Sequence, residues 1–339
     1  MLEPSEHRLL AFLGLFLGIG MGIGPACDSR IEQPPQLDRT ATCPRFGAPV
    51  ILGTVRDRRL NELSGIVASR QQAGVLWVHN DSGAGPVLYA LDRSGALLAE
   101  VTITGADAVD WEDIAIGPGP EAGHDYIYIA DIGDNTRRRS HIKLYRLPEP
   151  IIEESAQNTT KTTKTTKTTK KQKTTKPTKT SATAETIVLH YEHRPANAEA
   201  LFVDPQSGEL YVVTKKNRKA GLYRADEGVL HRLRTIDLGE GALVTAADIS
   251  ADGRMIALRT YNHGYLWHRQ AGESIEHSLA RSPCAITVAK EPQGEALAFD
   301  PASPQLLSIS EFGGDGNSSE GTVPIYGLPF EADDAAAKP

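Results

Sequence analysis

The sequence predicts an all-β chain, a β-propeller of five four-stranded blades, and three observations carry that prediction. An aliphatic-aromatic pair closes the same short pattern five times, at Leu88-Tyr89, Leu144-Tyr145, Leu222-Tyr223, Leu266-Trp267 and Ile325-Tyr326. Two apolar runs of strand length stand upstream of each pair. A polar residue heads each unit: Glu62, Glu112, Glu199 and Glu295 in four of them, and Thr245 in the remaining one. A unit of about four short strands cannot bury its faces alone, so such units pack radially and share cores with their neighbours. At roughly 40 to 50 residues per blade, 339 residues accommodate five. Six is the alternative count.

The elements follow in order. The first unit reads as strands at 63–69, 75–80, 87–91 and 97–103, with Asp92-Arg93-Ser94-Gly95 as the turn into the last. The second runs through 113–117, 126–131 and 142–147 and resumes at 187–191. Between the last two lies 159–184, a Thr/Lys stretch with eight lysines and almost no apolar side chain, expected to be a disordered loop. The third unit takes 200–204, 210–214, 222–225 and 230–236. The fourth takes 246–250, 255–260, 265–268 and 285–289, with a short helix near 273–279. The fifth has 296–300, 306–310 and 324–328 and lacks a fourth strand of its own. An apolar run at 49–55 is expected to supply it, closing the ring and leaving no open end to the array.

The chain therefore divides into a signal peptide (1–26), a tether (27–46), the propeller (47–330) and a short tail (331–339). Residues 9–24 are apolar, Gly-rich and free of charge, a length that suits a secretory segment better than a spanning helix. Pro25-Ala26-Cys27-Asp28 resembles the lipobox of bacterial lipoproteins, which implies lipidation of Cys27 and anchorage to the bacterial cell envelope; secretion or a periplasmic location is the alternative. Export leaves Cys43 and Cys284 as an even pair near the seam of the ring, either bridged or as two buried thiols. The net charge of -7, with no basic stripe in the repeated region, argues against a nucleic-acid partner. A monomer is expected.

Two polar rings converge at one mouth of the predicted channel. The unit heads form one, and the ends of the second strands, Asn80, Asp131, Thr214, Thr260 and Glu311, form the other. Facing carboxylates raise each other's pKa unless a cation intervenes, and oxygen ligands suit Ca²⁺. The candidate metal ligands are Glu62, Asn80, Glu112, Asp131, Glu199, Glu295 and Glu311. Asp131-Ile132-Gly133-Asp134-Asn135 and Gly313-Gly314-Asp315-Gly316-Asn317 add oxygen-rich turns. The competing reading is structural: the carboxylates accept backbone N–H groups from neighbouring blades, with Lys215, Lys216 and Arg259 neutralising charge. Trp111 reads as a plug between blades or a lid, and His79, beside Asn80 and Asp81, as a candidate general base.

Glu62-Leu63-Ser64-Gly65-Ile66, His79-Asn80-Asp81-Ser82-Gly83, Asp110-Trp111-Glu112-Asp113-Ile114-Ala115 and the Asp131 to Asn135 string resemble those of exported bacterial propellers of the TolB and NHL type, a group of unassigned function. That resemblance implies fold and export. A more distant one runs to gluconolactonase-like propellers, which hold a catalytic divalent ion at the channel mouth; Glu62 would match their Glu, with Asn80 and Asp131 as counterparts. The chain departs from them in blade count and in its four unit-head glutamates. Two functions follow. One is a lipid-anchored platform that presents an acidic, Ca²⁺-binding mouth to a small molecule or protein. The alternative is a metal-dependent hydrolase of lactones or phosphoesters, with Glu62 or Glu112 as ligand or base.

Overall fold

The computed structural model describes residues 43–152, 176–311 and 322–331. The signal peptide, Cys27, most of the tether, 159–175 of the Thr/Lys stretch, the Gly313 to Asn317 turn and nearly all of the tail lie outside them. The chain enters through β1 (Val50–Val55), then β2 (Leu63–Ala68), β3 (Leu76–Asn80), β4 (Val87–Leu91) and β5 (Leu97–Thr104). There follow β6 (Trp111–Pro118), β7 (Asp125–Asp131), β8 (Ile142–Pro148), β9 (Thr178–Thr183) and β10 (Glu185–Tyr191). Next come β11 (Ala198–Val203), β12 (Leu210–Thr214), β13 (Arg218–Asp226) and β14 (Val229–Gly239), then β15 (Val244–Ile249), β16 (Met255–Thr260) and β17 (Gly264–His268). A helical turn, α1 (Ile275–Ser278), leads to β18 (Cys284–Ile286), β19 (Gln293–Phe299), β20 (Gln305–Glu311) and β21 (Val323–Pro329).

Successive strands pair antiparallel into sheets, β2-β3-β4-β5 and β15-β16-β17-β18 among them. The sets β6-β7-β8-β10 and β11-β12-β13-β14 merge into one sheet through a short parallel pairing of β10 with β14. The strand that opens each set is buried, with β2, β11 and β15 buried at every residue. These inner strands pack in a circle: β2 on β6, β6 on β11, β11 on β15, β15 on β19, and β19 back on β2. A closed circle of inner strands with sheets radiating from it is a β-propeller.

The aliphatic-aromatic pair lies in the third strand of each set. Side chains alternate across a strand, so the two members enter different cores. Leu144 joins Leu201 and Val212 in one cluster, while Tyr145 joins Trp77 and Trp111 in another. Leu222 and Tyr223 divide in the same way. The repeat is thus a packing device that couples each sheet to both neighbours.

The last sheet runs β19-β20-β21-β1, with Val50 paired to Gly327 and Val55 to Val323. Phe46 bridges Phe330, ring centroids 5.6 Å apart, and Cys43 forms a disulfide with Cys284 at a Cα separation of 5.4 Å. The α1 turn starts at Ser274, whose side chain caps it by accepting from the His277 N–H at 3.1 Å.

One part of the Thr/Lys stretch departs from the disorder expected of it. Residues 178–183 form β9, which runs parallel to β5 from the Ala99-Thr178 pair to the Thr104-Thr183 pair. Composition underweights this outcome because the segment buries little. Its stabilisation is backbone pairing: β5 would otherwise present an unpaired edge, and threonine is β-branched and fits a strand.

Buried aspartates knit the circle. Asp113 accepts N–H groups from Ile114 (2.9 Å), from Leu201 of β11 (2.8 Å) and from Ala247 of β15 (3.3 Å). Asp248 repeats the arrangement with Ile249 (2.8 Å) and Phe299 of β19 (2.7 Å). Burial pushes the Asp248 carboxyl up to about 6, against these donors. In Asp113→Asn the amide NH₂ must face at least one of three backbone N–H groups, so a loss of about 1–3 kcal/mol is expected in urea unfolding.

Candidate functional site

Each inner strand carries a β-bulge at the same place. The register against the second strand slips between Leu63 and Gly65, Trp111 and Asp113, Ala198 and Ala200, Val244 and Ala246, and Gly294 and Ala296. The extra residues are Ser64, Glu112, Glu199, Thr245 and Glu295. A bulge re-aims its side chain, and bulges concentrate at rims and sites. This corrects the first unit: the equivalent of Glu112 is Ser64, two residues beyond Glu62. Ser64-Gly65-Ile66 matches Glu112-Asp113-Ile114 and Glu199-Ala200-Leu201 once the bulge is allowed for, whereas a search for the nearest carboxylate selects Glu62. The two hydroxyl members act as clips, Ser64 donating to the Glu112 carbonyl at 2.5 Å and Thr245 to that of Gly294 at 3.0 Å.

The second-strand residues Asn80, Asp131, Thr214 and Thr260 each pair with the residue just before a bulge, whereas Glu311 lies one pair farther out, opposite Gln293, and Ser310 takes the matching place opposite Gly294. Most are occupied locally. Asn80 donates to the Arg59 carbonyl at 2.6 Å, Asp131 is salt-bridged to Arg139 at 2.8 Å, and Thr214 accepts from the Gly221 N–H at 2.8 Å. Thr260 accepts from the His263 N–H at 3.1 Å, and Gln293 donates to both Glu311 and Glu295.

The group that does converge is smaller than the predicted ligand set. Among the described histidine, cysteine and carboxylate side chains, Asp81, Asp110 and Glu112 place one oxygen each within 4.8 Å of one another. Asp81 follows the end of β3, Asp110 precedes β6, and Glu112 is the bulged residue of β6. Gly133 closes around them, since a Cβ there would lie 2.1 Å from Glu112 Oε1 and 2.3 Å from Asp110 Oδ2. Arg139 holds that loop, donating to the Gly133 carbonyl at 2.8 Å as it pairs with Asp131. Of the predicted ligands only Glu112 belongs to the group; Asn80, Asp131, Glu199, Glu295 and Glu311 are held by partners of their own. Glu62 gives its carbonyl to the Asp81 N–H at 2.7 Å. Asp81 and Asp110 carried a sequence signal, standing in the His79 to Gly83 and Asp110 to Ala115 strings.

Electrostatics at this mouth favour a cation. Burial raises Glu112 well above the carboxylate range, with Glu199, Asp81 and Asp110 adding to it. Burial and Asp81 push Asp110 up to about 6. Glu199 rises to about 7 through burial, opposed by Lys215. Glu311 also reaches about 7, through burial and the charges of Glu295, Asp81 and Glu62. Lys215 is the resident counter-charge: it binds Glu199 at 2.8 Å and lies 4.8 Å from the Tyr261 ring centroid. Burial works against its charge, yet Glu199, Tyr261 and Glu295 carry its pKa well above the usual lysine value. Arg259 is farther back, paired with Glu291, and Lys216 is turned to a different cavity.

His79, the candidate base, lies inside the protein. It is fully buried, its Nδ1 is 2.9 Å from the Asn80 carbonyl, and burial lowers its pKa to about 4, which makes it a weak base. Trp111 is the plug: 1% exposed, it donates to the Asp107 carbonyl at 2.8 Å and meets His79 edge-on at 5.5 Å. Three carboxylates fit a hard cation, and Ca²⁺ takes 6–8 oxygens, so with one oxygen from each carboxylate about three to five ligands would be left to other groups, water or a bound molecule.

No protein-family model and no curated protein sequence matches the chain. Among solved structures it is similar to a PQQ-bound aldose sugar dehydrogenase from Streptomyces coelicolor, at 12% identity and a TM-score of 0.48, over 85% of this chain and 98% of that one. It is similar also to a luciferin-regenerating enzyme, at 11% identity and a TM-score of 0.43, over 83% and 95% of the two chains. A nidogen/laminin complex gives 12% identity and a TM-score of 0.39, over 73% and 72%. These likenesses assign no activity to the chain.

Proposed function

We propose that this chain is an exported, five-bladed propeller that binds a ligand or partner at a cation-loaded channel mouth, with Asp81, Asp110 and Glu112 as the protein's ligands to Ca²⁺. The observation that carries the reading is the convergence of these carboxylates within 4.8 Å around a glycine that leaves them room. A cation with several non-protein ligands is a recognition point for oxygen-bearing molecules. Binding is favoured over turnover because His79, the general base expected from the sequence, is fully buried. Lipid anchorage through Cys27 belongs to the same proposal. The Cys43–Cys284 disulfide supports export, since disulfides persist in oxidising compartments.

Calorimetry on metal-stripped protein is expected to show saturable Ca²⁺ binding and a raised melting temperature. Asp110→Asn and Gly133→Ala should each weaken it at least about tenfold, or 1.4 kcal/mol. The glycine substitution is the sharper probe, because it removes no ligand and only fills the space between two of them. Wild-type protein that takes up no heat with Ca²⁺ would end this reading.

A further inference from the structure

Beside the acidic mouth lies a site of opposite sign. A cavity of about 230 Å³ is lined by Arg137, Arg194, Lys215, Lys216, Lys219 and Arg232, and among the described residues no carboxylate lines it. This stands out in a chain of net charge -7. Among the described residues, only Lys215 of the six forms an ion pair, with Glu199. The cations come from separate segments: the loop after β7, the approach to β11, the β12-β13 connection and the strands β13 and β14. They make no stripe in the sequence; the fold assembles them. Like charges gathered this closely repel, and a bound anion relieves that cost.

One of these cations, Arg137, stands on an ordered turn. The Asp134 carboxylate accepts N–H groups from Arg138 (2.9 Å) and Arg139 (2.8 Å), and the Arg137 N–H donates to the Asp134 carbonyl at 2.8 Å. This turn sets Arg137 in the left-handed region, φ 53°, which is rare for a residue other than glycine. The Asp134 N–H in turn donates at 2.6 Å to Oδ1 of Asn197, itself a buried lining residue. Tyr223 adds an aromatic wall, backed edge-on by Tyr191 at 5.1 Å.

We propose that this cavity binds a doubly charged oxyanion, the phosphate or sulfate group of a small ligand. A single carboxylate would leave most of the charge uncompensated, whereas a tetrahedral dianion accepts from several guanidinium and ammonium donors at once. The volume falls below the roughly 300–1,000 Å³ of pockets that enclose a whole drug-sized ligand, so it suits a head group. None of Asp81, Asp110 and Glu112 lines it, and Lys215 is the charged residue it shares with the mouth.

The test is titration calorimetry on the metal-stripped protein with inorganic phosphate, inorganic sulfate and glucose 6-phosphate, using sodium chloride at matched ionic strength as reference. Saturable binding of the oxyanions is expected, weakened about tenfold per charge removed in Arg137→Gln and Lys219→Gln. Both side chains are exposed, so the melting temperature without ligand should hold. Tighter binding of glucose 6-phosphate than of phosphate supports a ligand's head group, and equal binding supports the free ion. Asp110→Asn should bind phosphate as wild type does, which separates this site from the metal. Absence of saturable binding, equal binding of chloride, or unchanged affinity in the double variant would overturn the proposal.

Discussion

Replacing both Cys43 and Cys284 by alanine is expected to lower the unfolding free energy by about 4–5 kcal/mol, the largest effect predicted for this chain. The bond spans 241 residues of sequence. Loop-closure entropy grows with the logarithm of loop length, so a bridge of this span restricts the unfolded chain near the upper end of what one disulfide achieves. The native state needs the bridge as well. β1 is poorly buried, with Val50 and Ile51 at 46% and 63% exposure, and among its residues only Val55 is fully inside. Its hold on β21 is therefore mostly backbone pairing, assisted by the Phe46-Phe330 contact. Cys43 ties this segment to β18 of the neighbouring sheet. Urea unfolding of oxidised and reduced protein should show the loss, and hydrogen exchange should quicken first along β1. Equal midpoints would mean that strand pairing closes the ring unaided.

The fold was legible because packing repeats. Each third-strand pair must feed two cores, so the aliphatic-aromatic signal recurs at Leu88-Tyr89, Leu144-Tyr145 and the rest whatever the protein does. The strand added from the N-terminus was legible for a related reason, as a set of three strands leaves an edge that needs a partner. The site was only half legible. A bulge inserts one residue into the register and leaves no mark in composition, which is why Glu62 stood in for Ser64. The residues that converge, Asp81 and Asp110, sit in loops flanking the strands, outside the periodic pattern that identified the rings. The structural task of binding neighbouring N–H groups fell to Asp113 and Asp248, which lie within the inner strands and reach across to the next ones rather than stand at their heads. The basic cavity left no linear trace at all, since its cations come from segments as far apart as Arg137 and Arg232.

Arg259→Met should cost about 3–5 kcal/mol, and the reason separates charge from packing. Arg259 is fully buried in β16, its guanidinium binding Glu291 at 2.5 Å and donating to Ser308. The Glu291 side chain is 1% exposed, receives a further bond from Ser308 at 2.7 Å, and has one oxygen without a hydrogen-bond partner. Gly294 makes room for the pair, because a Cβ there would fall 1.6 Å from Arg259 Nη2. Methionine fills much of the arginine volume, so the single variant chiefly strands a buried carboxylate. If that is the dominant cost, Arg259→Met/Glu291→Leu should recover most of the loss, since an apolar pair of similar volume is often as stable as the ions it replaces. Urea midpoints for the two single variants and the double one complete the cycle. A double variant as unstable as the sum of its parents would mean that the stranded charge is not the cause. The arginine would then act through its fit against Gly294. The mouth supplies a second readout, because the Arg259 charge helps hold the Glu295 carboxyl down against burial. Without that charge Glu295 should bind its proton more tightly, a change visible by titration NMR even where stability has been restored.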